Sequence, residues 1–306
     1  MELEDLQAEW RGLTFFNRIL MAGGVLRTLE EVKKWVELAV AAILVGSITL
    51  DKRDGNKGQV YWENEGKKDS LNTNGLPNLG AEYYKVVLPQ MIEMAHNAEQ
   101  PKPLIASLVG FTPEEWVRLA EMFLEWGADA LELNFSCPNV WLEKEQKVIP
   151  CFHPYLVEEI LSKVQQAIGQ EARVIVKVSP FSDPFGLKVM ADCLSKFPLV
   201  KALSVCNTFA NSFAFDENGN PAITFGDGLA GLGGSALKYI TLGQIIQFKK
   251  WLRDDIAIFG CGGISSGKDI CHILDAGADF AQIGTYFMED GVNRFDKLLL
   301  DFVMKR

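Results

Sequence analysis

The sequence predicts an α/β protein, a (β/α)8 TIM barrel with loop and hairpin insertions at the C-terminal mouth. Eight short apolar runs alternate with amphipathic helical segments along almost the whole length of the 306-residue chain. The runs lack a polar alternation, which is typical of parallel strands buried on both faces. Eight such strands, each followed by a helix, favour a barrel over a doubly wound sheet. The predicted strands are residues 19–22, 42–47, 104–108, 130–134, 174–178, 202–206, 256–259 and 280–283.

The segments between the strands carry helix start and stop signals. Thr112 and Glu115 form a capping-box pattern ahead of an apolar helical face, and Gly127 is placed to end that helix. Thr28 and Glu31 repeat the pattern earlier in the chain. These signals support alternation of strands with helices.

Two stretches interrupt the alternation. Residues 50–80 are polar and turn-rich, which predicts a hairpin and loops over one barrel mouth, and residues 211–234 form a second irregular excursion. No linker or low-complexity tract divides the chain. A single domain spanning residues 1–306 is therefore the simplest prediction.

Composition and charge exclude several classes of protein. Acidic residues number 40 and basic residues 30, giving a net charge of −10, which does not favour a nucleic-acid or anionic-membrane partner. No apolar stretch approaches the ~20 residues of a membrane span, and the first residues do not resemble an export signal. The six cysteines include no C-x-x-C pair, and no His/Asp/Glu cluster has metal-ligand spacing, so no metal site is expected. We expect a cytoplasmic protein with reduced thiols.

The segment NFSCPN at residues 134–139 is the strongest pointer to chemistry. It follows the predicted strand 130–134, so a strand end carries Asn134, Cys137 and Asn139. The carboxamides offer donors and acceptors to a planar polar ligand, and the thiol is the group in this segment that could serve as a general base or nucleophile. The alternative is a plain loop with an idle thiol.

Lys177 lies inside the otherwise apolar predicted strand 174–178. A lysine in so apolar a strand is expected to point into the barrel mouth, where it needs an anionic or hydrogen-bonding partner. An internal salt bridge is the alternative.

Small residues and glycine pairs follow several of the strands. Barrels bind phosphate through backbone amides after strands seven and eight, which here are followed by Gly262-Gly263 and Gly284-Thr285. Gly233-Gly234 adds a third glycine turn, and Ala22-Gly23 after the first strand lets a flat ring approach the backbone. Flavin mononucleotide (FMN) fits this constellation better than a phosphosugar, because the polar set is larger than a small sugar requires.

From residue 16 to the last helix the chain resembles the soluble, cysteine-using dihydroorotate dehydrogenases. The resemblance is carried by residues 17–25, 49–56, 72–78 and NFSCPN, together with Lys177, Asn207-Thr208, Gly233-Gly234, GCGGI from residue 260 and Gly284-Thr285. It implies FMN-dependent oxidation of dihydroorotate to orotate. The cysteine at position 137 would take the proton from ring carbon C5, while C6 delivers hydride to flavin N5.

The resemblance also implies a set of ligand-binding residues. Those for the substrate pyrimidine are Asn72, Gly75, Leu76, Asn134, Asn139, Asn207 and Thr208. Those for the flavin are Ala22, Gly23, Ser47, Asn134, Lys177, Gly233, Gly234, Gly262, Gly263, Gly284 and Thr285, with Lys177 beside flavin N1 and O2. Cysteine rather than serine at position 137 disfavours the quinone-linked membrane type. Fumarate, or NAD through an electron-transfer subunit, stays open as the acceptor, and a homodimer is expected.

Two positions depart from the family pattern. Gly46 stands where the family usually has a lysine, and residues 140–145 replace a proline- and glycine-containing turn. Oxidation of dihydroorotate is therefore the first hypothesis, and the second keeps the flavin but changes the substrate to another pyrimidine or unsaturated ring. A transfer-RNA dihydrouridine synthase is one version of the second hypothesis, which the net charge disfavours. The rival from another class is a flavin-free lyase that uses Lys177 as a Schiff-base amine, and a non-catalytic ligand-binding barrel is the fourth.

Overall fold

The computed structural model describes residues 6–66, 68–142, 145–288 and 290–306. Within these residues the strands, in chain order, are β1 (Ala8–Trp10), β2 (Leu13–Phe15), β3 (Ile19–Met21), β4 (Ile43–Ile48), β5 (Tyr61–Glu63), β6 (Asp69–Asn72), β7 (Leu104–Leu108), β8 (Ala130–Asn134), β9 (Trp141–Leu142), β10 (Glu145–Gln146), β11 (Val174–Val178), β12 (Val200–Val205), β13 (Phe209–Ser212), β14 (Ala230–Gly234), β15 (Ala257–Cys261) and β16 (Phe280–Ile283). The helices are α1 (Leu29–Trp35), α2 (Gly80–His96), α3 (Pro113–Glu125), α4 (Pro154–Ile168), α5 (Pro184–Ser195), α6 (Lys238–Trp251), α7 (Gly267–Asp275) and α8 (Gly291–Lys305).

Eight strands form one parallel sheet that curls into a nearly closed barrel. Their order is β3-β16-β15-β12-β11-β8-β7-β4, and a parallel bridge from Leu26 to Val45 brings the two ends of that order together. These are the eight predicted strands, and the predicted barrel is confirmed. The sixth begins at Val200, two residues before its predicted start, and includes the buried Lys201.

Helices cover the outside of the barrel through apolar faces set by their spacing. On α3 the buried residues are Trp116, Leu119, Ala120 and Phe123, a one-sided stripe that packs on the sheet. Thr28 and Glu31 form a complete capping box at α1. At α3 the Thr112 hydroxyl accepts the Glu115 N–H as predicted, but the Glu115 carboxylate accepts from the N–H of Phe111 instead.

The two predicted insertions pair with each other. Strands β13, β14, β6 and β5 form a separate antiparallel sheet in that order, here called the roof sheet. β6 comes from the first insertion and β14 from the second, and their register places Gly231 opposite Asn72 and Gly233 opposite Ser70. The sequence indicated both insertions but not their union. No helix in the described residues is long and apolar enough to cross a membrane.

Candidate active site

A cavity lies at the C-terminal mouth of the barrel, where strand ends meet the roof sheet. Its empty space is about 1140 Å³, a volume that includes the open mouth. Every residue predicted for the site lines this one cavity. They are Ala22, Gly23, Ser47, Asn72, Gly75, Leu76, Asn134, Cys137, Asn139, Lys177, Asn207, Thr208, Gly233, Gly234, Gly262, Gly263, Gly284 and Thr285.

Other lining residues were not predicted from the sequence. They include Arg27, Tyr61, Ser70, Asn74, Cys206, Cys261, Gln282 and Met288. Cys261 ends β15 and Cys206 follows β12, so the strand-end rule that found Cys137 would also have found these two thiols. Tyr61 and Ser70 belong to the β5–β6 hairpin, which was predicted over the mouth, although its pairing with β14 was not.

The Cys137 thiol is partly exposed to the cavity. Burial raises its pKa to about 11. The Asn139 backbone N–H and the positive charges of Arg53 and Lys177 oppose that rise in pKa without cancelling it. In the ligand-free protein the group is therefore a thiol at neutral pH, and acting as a base requires its ionised form.

The carboxamides of Asn134 and Asn207 are fixed by a hydrogen-bond network at the barrel mouth. Asn134 Nδ2 donates to Ser47 Oγ at 2.9 Å, and Asn134 Oδ1 accepts from Ser136 Oγ at 2.7 Å. Asn207 Nδ2 donates to Ser136 Oγ at 3.0 Å. Since both amides are oriented by neighbours, the cavity presents a preorganised polar wall to a ligand.

Asn139 connects the loop after β8 to the roof sheet. Its Nδ2 donates to the Asn72 carbonyl at 2.7 Å and to Asn72 Oδ1 at 3.1 Å. Asn72 Nδ2 donates to the Gly231 carbonyl at 3.4 Å. A Cβ at Gly231 would come within 3.0 Å of the Thr208 side chain, so only glycine leaves room for Thr208 beside the amides.

Lys177 extends into the cavity, as its place in an apolar strand predicted. Its Nζ lies 4.0 Å from Glu132 Oε1, so the salt bridge considered as the alternative is also present. Burial is the largest single influence on the pKa of this lysine and lowers it. The Glu132 carboxylate is the largest of the influences that raise it, Cys261, Cys206 and Cys137 add to that rise, and the net pKa is raised. Glu132 was not predicted, although a charged residue within an apolar strand is the signal that identified Lys177.

The glycine turns at the cavity lie too close to α6 to carry larger residues. Gly262 and Gly263 have φ angles of +122° and +76°, and a Cβ on either would lie under 3.0 Å from Thr241 or Lys238. Across the cavity, Thr285 Oγ1 and Ser70 Oγ are 3.0 Å apart. Backbone amides at positive-φ turns suit a bound phosphate, so the donors present fit the phosphate of a flavin nucleotide.

Gly46 has a φ of +117°, a backbone conformation that side chains rarely adopt. A Cβ there would lie under 3.0 Å from the Ser107 carbonyl oxygen. The lysine that the family resemblance leads one to expect at this position would therefore strain the local backbone. Of the second departure, residues 143 and 144 lie outside the described residues, and the flanking residues form the β9–β10 hairpin.

The three histidines lie away from this cavity. None of the three lines the cavity. His96 Nε2 is 2.8 Å from Asp129 Oδ2, with the imidazole about half exposed.

A thiol, fixed carboxamides, a buried lysine and glycine turns thus meet in one cavity at the barrel mouth. Residues 5–303 match the family model for dihydroorotate dehydrogenase. The chain is 30% identical over 297 residues to dihydroorotate dehydrogenase A (fumarate) of Lactococcus lactis subsp. lactis, covering 96% of this chain and 92% of that protein. It is 34% identical over 291 residues to dihydroorotate dehydrogenase (fumarate) of Trypanosoma cruzi, covering 93% and 88%.

The structural comparison agrees on the fold. The crystal structure of DHODH in complex with ferulenol from Eimeria tenella matches with a TM-score of 0.79 at 18% identity, covering 99% of this chain and 85% of that one. The chain belongs to the dihydroorotate dehydrogenase family. It is thus an oxidoreductase of a flavin-dependent family that acts on a CH–CH group of a small molecule.

Proposed function

We propose that the protein oxidises dihydroorotate to orotate with FMN as cofactor and Cys137 as general base. The observation that carries this proposal is the shared cavity. The Cys137 thiol, the carboxamides of Asn72, Asn134, Asn139 and Asn207, and the Lys177 ammonium all line it. Such a wall suits a pyrimidine ring, whose edge presents alternating donors and acceptors.

The flavin would lie between the strand ends and the glycine turns. Ala22 and Gly23 leave the flat surface that its ring needs, while Gly262, Gly263 and Thr285 face the space for its phosphate. Gly233, Gly234 and Gly284 complete that side, with Ser47 and Asn134 beside the ring. When bound, FMN supplies an acceptor for two electrons and a proton. The Lys177 ammonium would stabilise negative charge that develops on the ring.

The substrate would occupy the space between Cys137 and the carboxamides. Thr208, Gly75 and Leu76 line the remaining sides. The Cys137 thiolate takes the proton from C5, the hydrogen on C6 leaves with its electron pair, and a C5=C6 double bond forms. Because Cys137 is partly buried, bulk water has limited access to the site of proton transfer.

The flavin-free lyase is not favoured. A Schiff-base lysine must be a neutral amine to attack a carbonyl group. The raised pKa of Lys177 keeps this amine protonated.

The second candidate substrate is an uncharged pyrimidine, which would keep the same thiol and cofactor. The observation that favours it is Gly46, whose backbone leaves no room for a lysine that could pair with a carboxylate. Losing such a charged hydrogen bond would remove about 1.5–3 kcal/mol of binding.

We further propose that fumarate reoxidises the enzyme, since the curated relatives cited above carry that acceptor in their names. We propose that it works as a homodimer in the cytoplasm, where its six free cysteines would stay reduced. Turnover with fumarate and the purified chain alone would support this proposal. A requirement for NAD and a second subunit would contradict it, and sedimentation velocity measures the oligomer.

The decisive experiment is anaerobic reduction of the flavin-loaded protein by a panel of dihydropyrimidines. We expect rapid bleaching of the flavin by dihydroorotate and loss of that reaction in Cys137→Ala. A matched control is Cys151→Ala, because Cys151 is buried and does not line the cavity. A purified protein that binds no flavin would overturn the cofactor assignment, and bleaching by an uncharged ring alone would select the second candidate.

A further inference from the structure

Glu132 is fully buried inside the barrel and does not line the cavity. Its two carboxylate oxygens are held by different partners. Ser107 Oγ donates to Oε1 at 2.9 Å, and Gln282 Nε2 donates to Oε2 at 3.1 Å. Gln282 is itself fixed, since its Oε1 accepts from Ser204 Oγ at 2.5 Å. A buried carboxylate with this many hydrogen bonds has a single defined position.

The Glu132 carboxylate lies near the Lys177 ammonium but does not form a hydrogen bond with it. Oε1 is 4.0 Å from Nζ, beyond the length of an N–H···O bond. Among the described residues no acceptor lies within hydrogen-bond distance of Nζ, although the lysine side chain is only 4% exposed. The ammonium thus keeps its N–H donors for whatever occupies the cavity.

We propose that Glu132 is a positioning residue, which keeps Lys177 positively charged while leaving the lysine N–H donors free for the ligand. Ser107 and Gln282 set the separation by holding the carboxylate back. The proposal rests on the proposed function in one respect, that the ligand beside Lys177 is FMN. The charge on Lys177 itself does not depend on that assignment.

The electrostatics give the proposal a direction. Burial alone would lower the pKa of Lys177, and the Glu132 carboxylate is the largest influence that raises it. In Glu132→Gln, which preserves shape and removes the charge, only the weaker influences of Cys261, Cys206 and Cys137 still oppose the effect of burial. The lysine should then lose its proton at lower pH, and its attraction for an anionic ligand should disappear with the proton.

The first test measures the ionisation of Lys177 in the flavin-stripped full chain. Acetic anhydride acylates neutral amines, so peptide mass spectrometry across pH gives the midpoint of Lys177 reactivity. We expect a midpoint at least one pH unit lower in Glu132→Gln and restored in Glu132→Asp. Lys238 of the same digest, which pairs with Asp269 at 2.5 Å, should be unchanged. An unchanged Lys177 midpoint in Glu132→Gln would overturn the proposal.

The second test measures FMN affinity against pH by fluorescence quenching. In Glu132→Gln the affinity should fall about tenfold per pH unit above the new midpoint, because binding requires the charged lysine. Lys177→Met in the same background should abolish that dependence. Asp129→Asn is the matched control. The Asp129 carboxylate accepts the N–H of Leu104, the first residue of β7, and its loss should leave the pH profile of FMN affinity unchanged.

Ser107→Ala serves as a second variant if Glu132→Gln does not fold. It frees Oε1 to approach Nζ, so the Lys177 midpoint should rise and FMN affinity should fall several-fold. A midpoint and affinity equal to wild type would contradict the proposal. If wild type binds no FMN, the proposed cofactor fails, while the acylation midpoints still decide the role of Glu132.

Discussion

The ionisation of Cys137 should control how the reductive half-reaction depends on pH. Burial raises the pKa of this thiol to about 11, and only the thiolate accepts a proton. At pH 7, which is about four units below that pKa, roughly one thiol in 10⁴ is ionised. Each unit of pH multiplies that fraction by about ten. The rate of flavin reduction should therefore rise about tenfold per unit from pH 6 to pH 9.

Stopped-flow absorbance of the flavin under anaerobic conditions measures this rate directly. Cys137→Ala should slow reduction by on the order of 10²-fold or more and remove the slope. Cys137→Ser should move the rise to higher pH, because a hydroxyl is a weaker acid. Cys151→Ala is the matched control: burial also raises the pKa of that thiol to about 11, but it does not line the cavity. A flat profile in wild type, or the same slope in Cys137→Ala, would refute Cys137 as the base.

Three further outcomes are expected. Lys177→Met should weaken FMN binding by tenfold or more through loss of a charged hydrogen bond, as measured by fluorescence titration; equal affinity would leave this lysine a purely structural role. Gly263→Ala should also weaken FMN binding, because a Cβ there meets Lys238 at under 3.0 Å, whereas Gly243→Ala, with nothing within 4 Å, should not. In Gly46→Ala and Gly46→Lys the free energy of unfolding, measured by urea denaturation, should fall by about 1–3 kcal/mol because of strain at positive φ. A free energy of unfolding equal to that of wild type in either variant would contradict the strained conformation at residue 46. Tighter orotate binding in Gly46→Lys than in Gly46→Ala would report the added charge and support dihydroorotate as substrate.

The barrel was predictable because each strand is a short apolar run between helix signals. Strand ends were harder to place. β12 begins at Val200 and includes Lys201, a buried but charged residue that lies outside the apolar run from residue 202. β4 continues through Ile48 past an irregularity in its pairing with β7. Local sequence patterns identify a strand, while its ends depend on the pairing partner.

The barrel part of the site was predictable for a geometric reason. Residues after parallel strands share one mouth, so Asn134, Lys177 and Asn207 could be grouped without coordinates. The roof sheet was not predictable, because β6 and β14 are separated by more than a hundred residues and neither has a strong strand pattern. Glu132 was missed for another reason. It faces a buried partner rather than the cavity, so only the structure relates its charge to Lys177.

The pairing of β6 with β14 also decides which groups of the roof sheet line the cavity. Adjacent residues of a strand point to opposite faces, so a slip of one residue would turn Asn72 away from Asn139 and replace it with a neighbour. Asn72 lies opposite Gly231 on one side and Tyr61 on the other, which fixes its register from both edges. Variation in these loops, far from Cys137 in sequence, would therefore be a route to altered selectivity that leaves the proposed base untouched.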